Sequence, residues 1–161
     1  MAFAAGMSVF PGGAVDPADG PAGEPATVRR AAAREVAEET GVRLGVESLA
    51  PWARWITPAG EPRRFDTWFF LAALPGGQSA TAHPGEAVDG TWLTPRAALL
   101  EAGAGLRDLL PPTALTLQEL AAYDVVSAAM AAGPSRDLAP IQPEIVGGNA
   151  VLPDGRVVPL P

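Results

Sequence analysis

The sequence predicts a single domain built from both helices and strands, and three observations support this prediction. Charged and small residues recur at helical spacing between Thr27 and Thr40. Two aromatic-rich stretches, 52–58 and 63–72, are bounded by prolines and are typical of strands. Beyond residue 95, segments rich in leucine and alanine begin at prolines, which is typical of helix starts. At 161 residues, the chain is long enough for one hydrophobic core.

The first predicted helix is the best defined element of the chain. Thr27 is the predicted N-cap, because its hydroxyl can accept a hydrogen bond from a free backbone N–H of the first turn. Gly41 is predicted to end the helix as the residue after its last turn, where glycine is favoured. The segment Val42–Leu49 that follows fits either a strand or a connector.

Three carboxylates lie on one face of that helix. Glu35, Glu38 and Glu39 are spaced i, i+3 and i+4, so their side chains are neighbours on the helix surface. Like charges at this spacing repel by roughly a few tenths of a kcal/mol per pair. Such a face is either a solvated acidic surface, with Arg30 and Arg34 as helical partners, or a set of oxygen ligands for a hard divalent cation.

The two aromatic-rich stretches are predicted to pair as a hairpin with a turn at residues 59–61. The elements predicted after it are, in order, helices at 95–102 and 114–132 and a small hairpin at 151–158 around Asp154-Gly155. The four tryptophans are predicted to be core or sheet-face residues: Trp52, Trp55, Trp68 and Trp92. We expect residues 1–133 to form the main domain and 134–161 to form a proline-rich extension packed on it.

The amino-acid composition argues against several kinds of partner and site. The formal net charge of −7 disfavours a nucleic-acid backbone as partner. The chain contains no cysteine, which removes disulfides, thiol nucleophiles and zinc–thiolate sites. No apolar run reaches the ~20 residues needed to cross a bilayer, so no membrane partner is expected. We expect a cytoplasmic protein.

The helix and the turn before it resemble the signature of the Nudix hydrolases. The turn is Phe10-Pro11-Gly12-Gly13, whose glycines permit close approach of a ligand. The family pattern is G-x5-E-x7-R-E-U-x-E-E-x-G-U, in which U is a bulky aliphatic residue. The matching residues are Gly13, Arg34, Glu35, Val36, Glu38, Glu39, Gly41 and Val42.

The sequence departs from the family pattern at two points. Gly13 and Arg34 are 21 positions apart where the pattern has 14, so the connection is seven residues longer. Counted back from Arg34, the position of the first pattern glutamate is occupied by Ala26. In the family that glutamate usually has a supporting role.

The resemblance implies an α+β fold, an α/β/α sandwich in which a mixed β-sheet lies between helices. In the family, one or two strands precede the glycine turn, whereas nine residues precede Phe10 here. We therefore expect a Nudix fold that is shortened at its N-terminus.

The resemblance also implies the chemistry, which is hydrolysis of a diphosphate linked to another group. Mg²⁺ or Mn²⁺ would be the cofactor, and the implied ligands are Glu35, Glu38, Glu39 and the Gly12 carbonyl. The candidate catalytic residues are Glu39 or Glu86 as the base, and Arg34, which in the family orients a pattern glutamate. The candidate substrate-binding residues are Gly13, Arg63 and Arg64. Gly13 belongs to the turn that permits close approach of a ligand, and the guanidinium groups of the two arginines can bind phosphates in a bidentate manner.

Two further stretches resemble a subgroup related to the peroxisomal coenzyme A diphosphatase. They are Gly6-x3-Phe10-Pro11-Gly12-Gly13 and the sequence pattern W-x-T-P…E-P-R-R-F-D-T-x-F-F of residues 55–70. Coenzyme A or acyl-coenzyme A is therefore the leading substrate. The alternatives are ADP-ribose, NADH or another nucleoside diphosphate derivative, and an inactive Nudix-like domain that binds a ligand or partner. Family members are often dimers, although no self-complementary face is evident in the sequence.

Overall fold

The computed structural model describes residues 7–81 and 90–160. The helices and strands in these ranges are, in chain order, α1 Pro25–Thr40, β1 Ala50–Ile56, β2 Asp66–Leu71, α2 Pro95–Gly103, α3 Pro111–Leu120, α4 Val126–Ala132, β3 Glu144–Val146, β4 Asn149–Val151 and β5 Val157–Pro159. Short 3-10 turns lie at Pro17–Asp19, Val46–Ser48 and Gly133–Ser135.

The predicted hairpin of aromatic-rich strands is confirmed. β1 and β2 pair antiparallel from Ala50 opposite Leu71 to Ile56 opposite Asp66. The register shifts between Pro51 and Ala53, where proline lacks the N–H that a regular ladder needs. The connector Val42–Leu49 contains no strand, only the 3-10 turn at its end.

The main core lies on one face of this hairpin. Trp52 and Trp55 are buried, and Phe69 and Leu71 of β2 pack against the same cluster. On the other face, the rings of Trp68 and Phe70 stack with centroids 6.4 Å apart. The prediction for the tryptophans holds on the hairpin but is wrong for Trp92, whose exposed fraction is 71%.

The C-terminal strands share the core of the hairpin. β3, β4 and β5 form an antiparallel sheet in that order. Ala150, Leu152 and Val158 are buried in the same cluster as Trp52 and Leu115. Arg136 donates from Nε to the Trp52 carbonyl at 2.6 Å and lies over the indole ring at 4.0 Å. These contacts join residues after 133 to the core, while the division of the chain at residue 133 stays a prediction.

Both sheets in the described ranges are antiparallel. Parallel pairing is limited there to two isolated bridges, Ser8 with Leu109 and Trp55 with Ile141. Within the same residues, no helix is both long enough and apolar enough to cross a membrane.

Two helix predictions need correction. The predicted helix at 114–132 is two helices, α3 and α4, separated at residues 121–125. Tyr123 in this break packs edge-on against Trp52 with ring centroids 5.8 Å apart, so a tertiary contact accompanies the interruption. Thr27 is not an N-cap. α1 begins at Pro25, a residue favoured in the first turn, and Thr27 is fully buried inside the helix.

Candidate active site

α1 ends where the sequence predicts. Gly41 adopts a left-handed conformation with φ of 73°, and its N–H donates to the Ala37 carbonyl at 3.0 Å. The helix therefore holds Arg34, Glu35 and the two later glutamates within its last two turns, beside the glycine turn.

Arg34 is the centre of the polar network on this helix. Its Nη1 donates to Glu35 Oε1 at 2.9 Å and to Glu38 Oε2 at 3.0 Å. Its Nε and Nη2 donate to the two carboxylate oxygens of Asp19 at 3.0 and 2.9 Å, and Nη2 also donates to the Ala14 carbonyl at 2.9 Å. These acidic partners raise the pKa of Arg34, with Asp19 contributing most, so the guanidinium stays charged. One cation therefore holds two of the three candidate ligands.

Gly13 lies directly against Glu35. A Cβ at position 13 would overlap the Glu35 carboxylate, so any larger residue here would require that carboxylate to move. The side chain of Glu35 is 13% exposed, which makes it the most buried carboxylate that Arg34 contacts on α1. The candidate substrate-binding residue Gly13 thus lies beside a candidate metal ligand.

Glu39 joins the helix to the same turn. Its Oε2 accepts a hydrogen bond from the Gly12 N–H at 3.1 Å. The expected partner of a cation was the Gly12 carbonyl, and that role stays a prediction. The glycine turn thus contacts Glu39 and Glu35, and Arg34 links Glu35 to Glu38.

The donor set of this group fits a hard divalent cation. It offers three carboxylates, the ligand type that Mg²⁺ and Mn²⁺ prefer, beside a turn whose glycine leaves room at the carboxylate of Glu35. The carboxylates do not converge in the form described here. In residues 7–81 and 90–160, no three side chains of His, Asp or Glu are grouped as a metal site. Glu35 and Glu38 instead share Arg34 as their cation.

The sequence interpretation missed Asp19. Its side chain is 5% exposed, and the hydrogen bonds from Arg34 hold the pKa of this carboxyl below its usual range. The first pattern glutamate lies six positions after the glycine, and 13 + 6 gives residue 19. Counting forward from Gly13 would have found it. Counting back from Arg34 gives Ala26, which is exposed, whereas Asp19 is buried and binds Arg34.

The remaining predicted residues lie elsewhere or outside the described ranges. Arg63 and Arg64 are exposed in the connection between β1 and β2, where Arg64 Nε donates to the Thr57 carbonyl at 3.4 Å. Their role at substrate phosphates stays a prediction. Glu86 lies outside the described residues, so its role as a base stays a prediction.

The segment that leads towards Glu86 is attached to the end of α1. The Thr81 N–H donates to the Thr40 carbonyl at 3.0 Å. The Gln78 amide accepts from the Arg43 N–H at 2.7 Å and donates to the Arg43 carbonyl at 3.0 Å. Gln78 and Thr81 therefore lie beside the C-terminal end of α1.

An open depression lies along the same part of α1. Its volume is about 590 Å³, and it is lined by Ala33, Arg34, Ala37, Glu38, Gly41, Arg43 and Leu44. The lining combines small apolar residues with the charged side chains of Arg34, Glu38 and Arg43.

Known proteins with similar sequences and structures point in one direction. The model of the NUDIX domain family matches residues 2–112. The chain is 29% identical, over 153 residues, to the Caenorhabditis elegans protein named "Putative nudix hydrolase 7", with 73% of this chain and 51% of that protein covered. The chain thus spans about half the length of the curated relative that it matches.

The crystal structure of a NUDIX hydrolase from Alicyclobacillus acidocaldarius has the same fold. Its TM-score to this structure is 0.72 at 23% sequence identity, and the match covers 81% of this chain and 83% of that chain. The predicted α+β fold class is therefore confirmed.

Proposed function

Because the chain belongs to the Nudix hydrolase family, we propose that it hydrolyses a diphosphate linkage in a small molecule and depends on Mg²⁺ or Mn²⁺. The observation that carries this proposal is the contact of one guanidinium, that of Arg34, with both Glu35 and Glu38, beside the glycine turn that binds Glu39. Glu39 and Glu35 therefore contact the turn at Gly12 and Gly13, and Arg34 links Glu38 to Glu35.

The proposed metal ligands are Glu35, Glu38 and Glu39, with the Gly12 carbonyl as a fourth. When bound, the cation would polarise the phosphoryl oxygens and offset the negative charge that develops on them. Arg34 acts as a positioning residue, because all five of its N–H donors are already used within the protein.

The chain itself supplies the proton acceptor and the substrate contacts. Glu39 or Glu86 takes a proton from the attacking water, whose oxygen bonds to one phosphorus while the bond to the bridging oxygen breaks. The two products are phosphate monoesters. Arg63 and Arg64 are proposed to bind substrate phosphates, which their exposure in the β1–β2 connection permits.

Within this reaction class, we favour coenzyme A or acyl-coenzyme A as substrate. Cleavage would give 3′,5′-ADP and 4′-phosphopantetheine or its acyl form. The support is the wording of residues 6–13 and 55–70, which resembles the coenzyme A-cleaving subgroup. ADP-ribose, NADH and related nucleoside diphosphates are the alternatives. A cytoplasmic location is part of this proposal and agrees with the absence of cysteine.

A panel of diphosphates tests the reaction and the substrate together. The chain is incubated with coenzyme A, acetyl-coenzyme A, ADP-ribose and NADH, each with Mg²⁺, with Mn²⁺ and with EDTA, and products are identified by mass spectrometry. We expect phosphopantetheine and 3′,5′-ADP from coenzyme A with either metal and none with EDTA. Faster cleavage of ADP-ribose or NADH would refute coenzyme A as the substrate but would still support diphosphate hydrolysis.

A second candidate is a Nudix-like domain that binds a ligand without hydrolysing it. It is favoured by the absence, within 7–81 and 90–160, of a converged metal-holding group. Ala26 at the position of the first pattern acid does not favour this candidate, since Asp19 is an acid that binds Arg34 from the same connection. This candidate predicts no product from any member of the panel while ligand binding remains measurable by calorimetry.

A further inference from the structure

Arg43 lies just beyond the end of α1 and lines the same depression as Glu38. We infer that the Arg43 guanidinium binds a phosphate group of the substrate in this depression, which makes Arg43 a specificity-determining residue. The inference rests on the proposed function, because Glu38 is one of the proposed metal ligands. Arg43 follows Val42, the last position of the family pattern, and the sequence interpretation did not select it.

The guanidinium of Arg43 is not engaged by the described part of the protein. Every arginine in residues 7–81 and 90–160 other than Arg43 and Arg63 uses its guanidinium in an ion pair, a hydrogen bond or a contact with an aromatic ring. Arg63 lies in the exposed β1–β2 connection, whereas Arg43 lies beside a proposed metal ligand. Arg43 is therefore the arginine of α1 and its surroundings whose donors remain open to a ligand.

The backbone of Arg43 is held from both sides. Its N–H donates to Gln78 Oε1 at 2.7 Å, and Gln78 Nε2 donates back to the Arg43 carbonyl at 3.0 Å. The preceding residue, Val42, is buried with 4% of its surface exposed. The side chain of Arg43 thus extends into solvent from a fixed point, so only this side chain has to be ordered when a ligand binds.

The charges around the depression create a need for such a cation. The side chain of Glu38 is 53% exposed, and the whole chain has a formal net charge of −7, so an anionic substrate is repelled as it approaches. Arg34 cannot receive the substrate, because all five of its N–H donors are used within the protein. Arg43 offers a planar pair of donors that matches the oxygen atoms of a phosphate group.

The depression also has the size of a small-molecule site. Its volume of about 590 Å³ lies within the range of ~300 to 1,000 Å³ that is usual for such sites. Two sources of phosphate are possible in the proposed substrates. One is the diphosphate that is cleaved, and the other is a separate monoester, such as the 3′-phosphate of coenzyme A. Both present the same chemistry to Arg43.

The test compares three variants of the full chain with wild type. Arg43→Gln removes the charge and the planar donor pair, and Arg43→Lys keeps only the charge. Arg96→Gln is the matched control, because it removes the same charge from an exposed arginine on α2, where Nη2 donates to the Ala121 carbonyl at 3.1 Å. Calorimetry in Mg²⁺ buffer measures the affinity of each chain for 3′,5′-ADP and for AMP, which lacks the 3′-phosphate.

We expect Arg43→Gln to bind 3′,5′-ADP about tenfold more weakly than wild type, as is typical when a hydrogen bond to a charged group is lost. Arg43→Lys should lie between the two, and Arg96→Gln should match wild type. An equal loss with AMP would assign the 5′-phosphate to Arg43, and a loss confined to 3′,5′-ADP would assign the 3′-phosphate. Where coenzyme A is hydrolysed, Arg43→Gln should raise KM and leave kcat close to wild type, because the contact is made before and during the reaction.

Equal affinity of wild type and Arg43→Gln for both nucleotides would overturn the inference. An equal loss in Arg96→Gln would also overturn it, and so would a wild-type chain that binds neither nucleotide. Failure of the proposed function looks different. A wild-type chain that binds 3′,5′-ADP more tightly than Arg43→Gln but hydrolyses no diphosphate with Mg²⁺ or Mn²⁺ would support the phosphate site and refute the activity.

Discussion

Two arginine–aspartate pairs in this protein have similar geometry but different surroundings. Arg34 binds both oxygens of Asp19 at 3.0 and 2.9 Å, and Arg54 binds both oxygens of Asp66 at 2.8 and 2.6 Å. The Asp19 side chain is 5% exposed, whereas that of Asp66 is 47% exposed. Distance alone therefore does not rank the two pairs, because water reaches the Asp66 carboxylate far more than it reaches the Asp19 carboxylate.

The surroundings also decide what each pair can do. Arg34 has further bonds to Glu35 and Glu38, so its pair connects a loop to the candidate site. Arg54 lies over the Trp68 ring at 5.0 Å and pairs across the β1–β2 hairpin. The first pair is part of a network, and the second covers a sheet face.

The largest difference between the pairs should be in stability. Asp19→Asn should lower the free energy of unfolding by about 2 kcal/mol, because the carboxylate that it replaces is buried and accepts two hydrogen bonds from Arg34. Asp66→Asn should lower it by clearly less, since the Asp66 carboxylate is already half exposed to water. Urea unfolding of both variants measures this, and a larger loss for Asp66→Asn would contradict the ranking.

The pH dependence of stability should also differ between the two pairs, by less than the stability difference at pH 7. Arg34 lowers the pKa of Asp19, and Arg54 lowers the pKa of Asp66. A carboxyl whose pKa is lower in the folded chain stabilises the fold above the unfolded value of ~3.9, and this stabilisation is lost as the pH falls through the folded pKa. The stability gap between wild type and Asp19→Asn should therefore be full at pH 7 and close below about pH 4.

The same pH series on Asp66→Asn is the control. Its gap should follow the same direction with a smaller amplitude, because its carboxyl is half exposed. A gap for Asp19→Asn that widened as the solution became acidic would show that Asp19 is not held as the charged form.

The smallest expected difference between the pairs is in their response to salt, which should weaken the Arg54–Asp66 pair more than the Arg34–Asp19 pair. At 1 M NaCl the screening length is about 3 Å, so exposed ion pairs lose most of their attraction. The stability difference between wild type and Asp66→Asn should shrink with salt, whereas that for Asp19→Asn should change little. Unfolding in 0.1 M and 1 M NaCl, compared variant by variant, checks this, and equal salt sensitivity would count against the contrast in burial.

The sequence predicts those parts of the fold that depend on local chemistry. The end of α1 at Gly41 and α2, which begins at Pro95, follow from residue preferences at helix ends, and the hairpin follows from two aromatic-rich stretches. The break at residues 121–125 could not be predicted, because Tyr123 packs on Trp52, which is 71 positions earlier in the chain.

The candidate site shows the same limit. Helical spacing places the glutamates on one face, but it does not reveal which loop residue holds Arg34. Asp19 was recoverable by counting from Gly13, yet only the fold shows that it is buried and bound by two arginines. The hydrogen bond from Gly12 to Glu39 joins residues 27 positions apart and has no local signal.

One assay can show whether the acids on α1 bind a metal that is used in hydrolysis. Initial rates of diphosphate hydrolysis are measured against Mg²⁺ and Mn²⁺ concentration for wild type, Glu38→Gln and the control Glu47→Gln, whose residue is exposed in the 3-10 turn Val46–Ser48. We expect metal-dependent rates in wild type and Glu47→Gln, and a loss of at least about a hundredfold in Glu38→Gln. Equal rates in Glu38→Gln and Glu47→Gln, or hydrolysis that persists in EDTA, would show that these acids do not hold a catalytic metal.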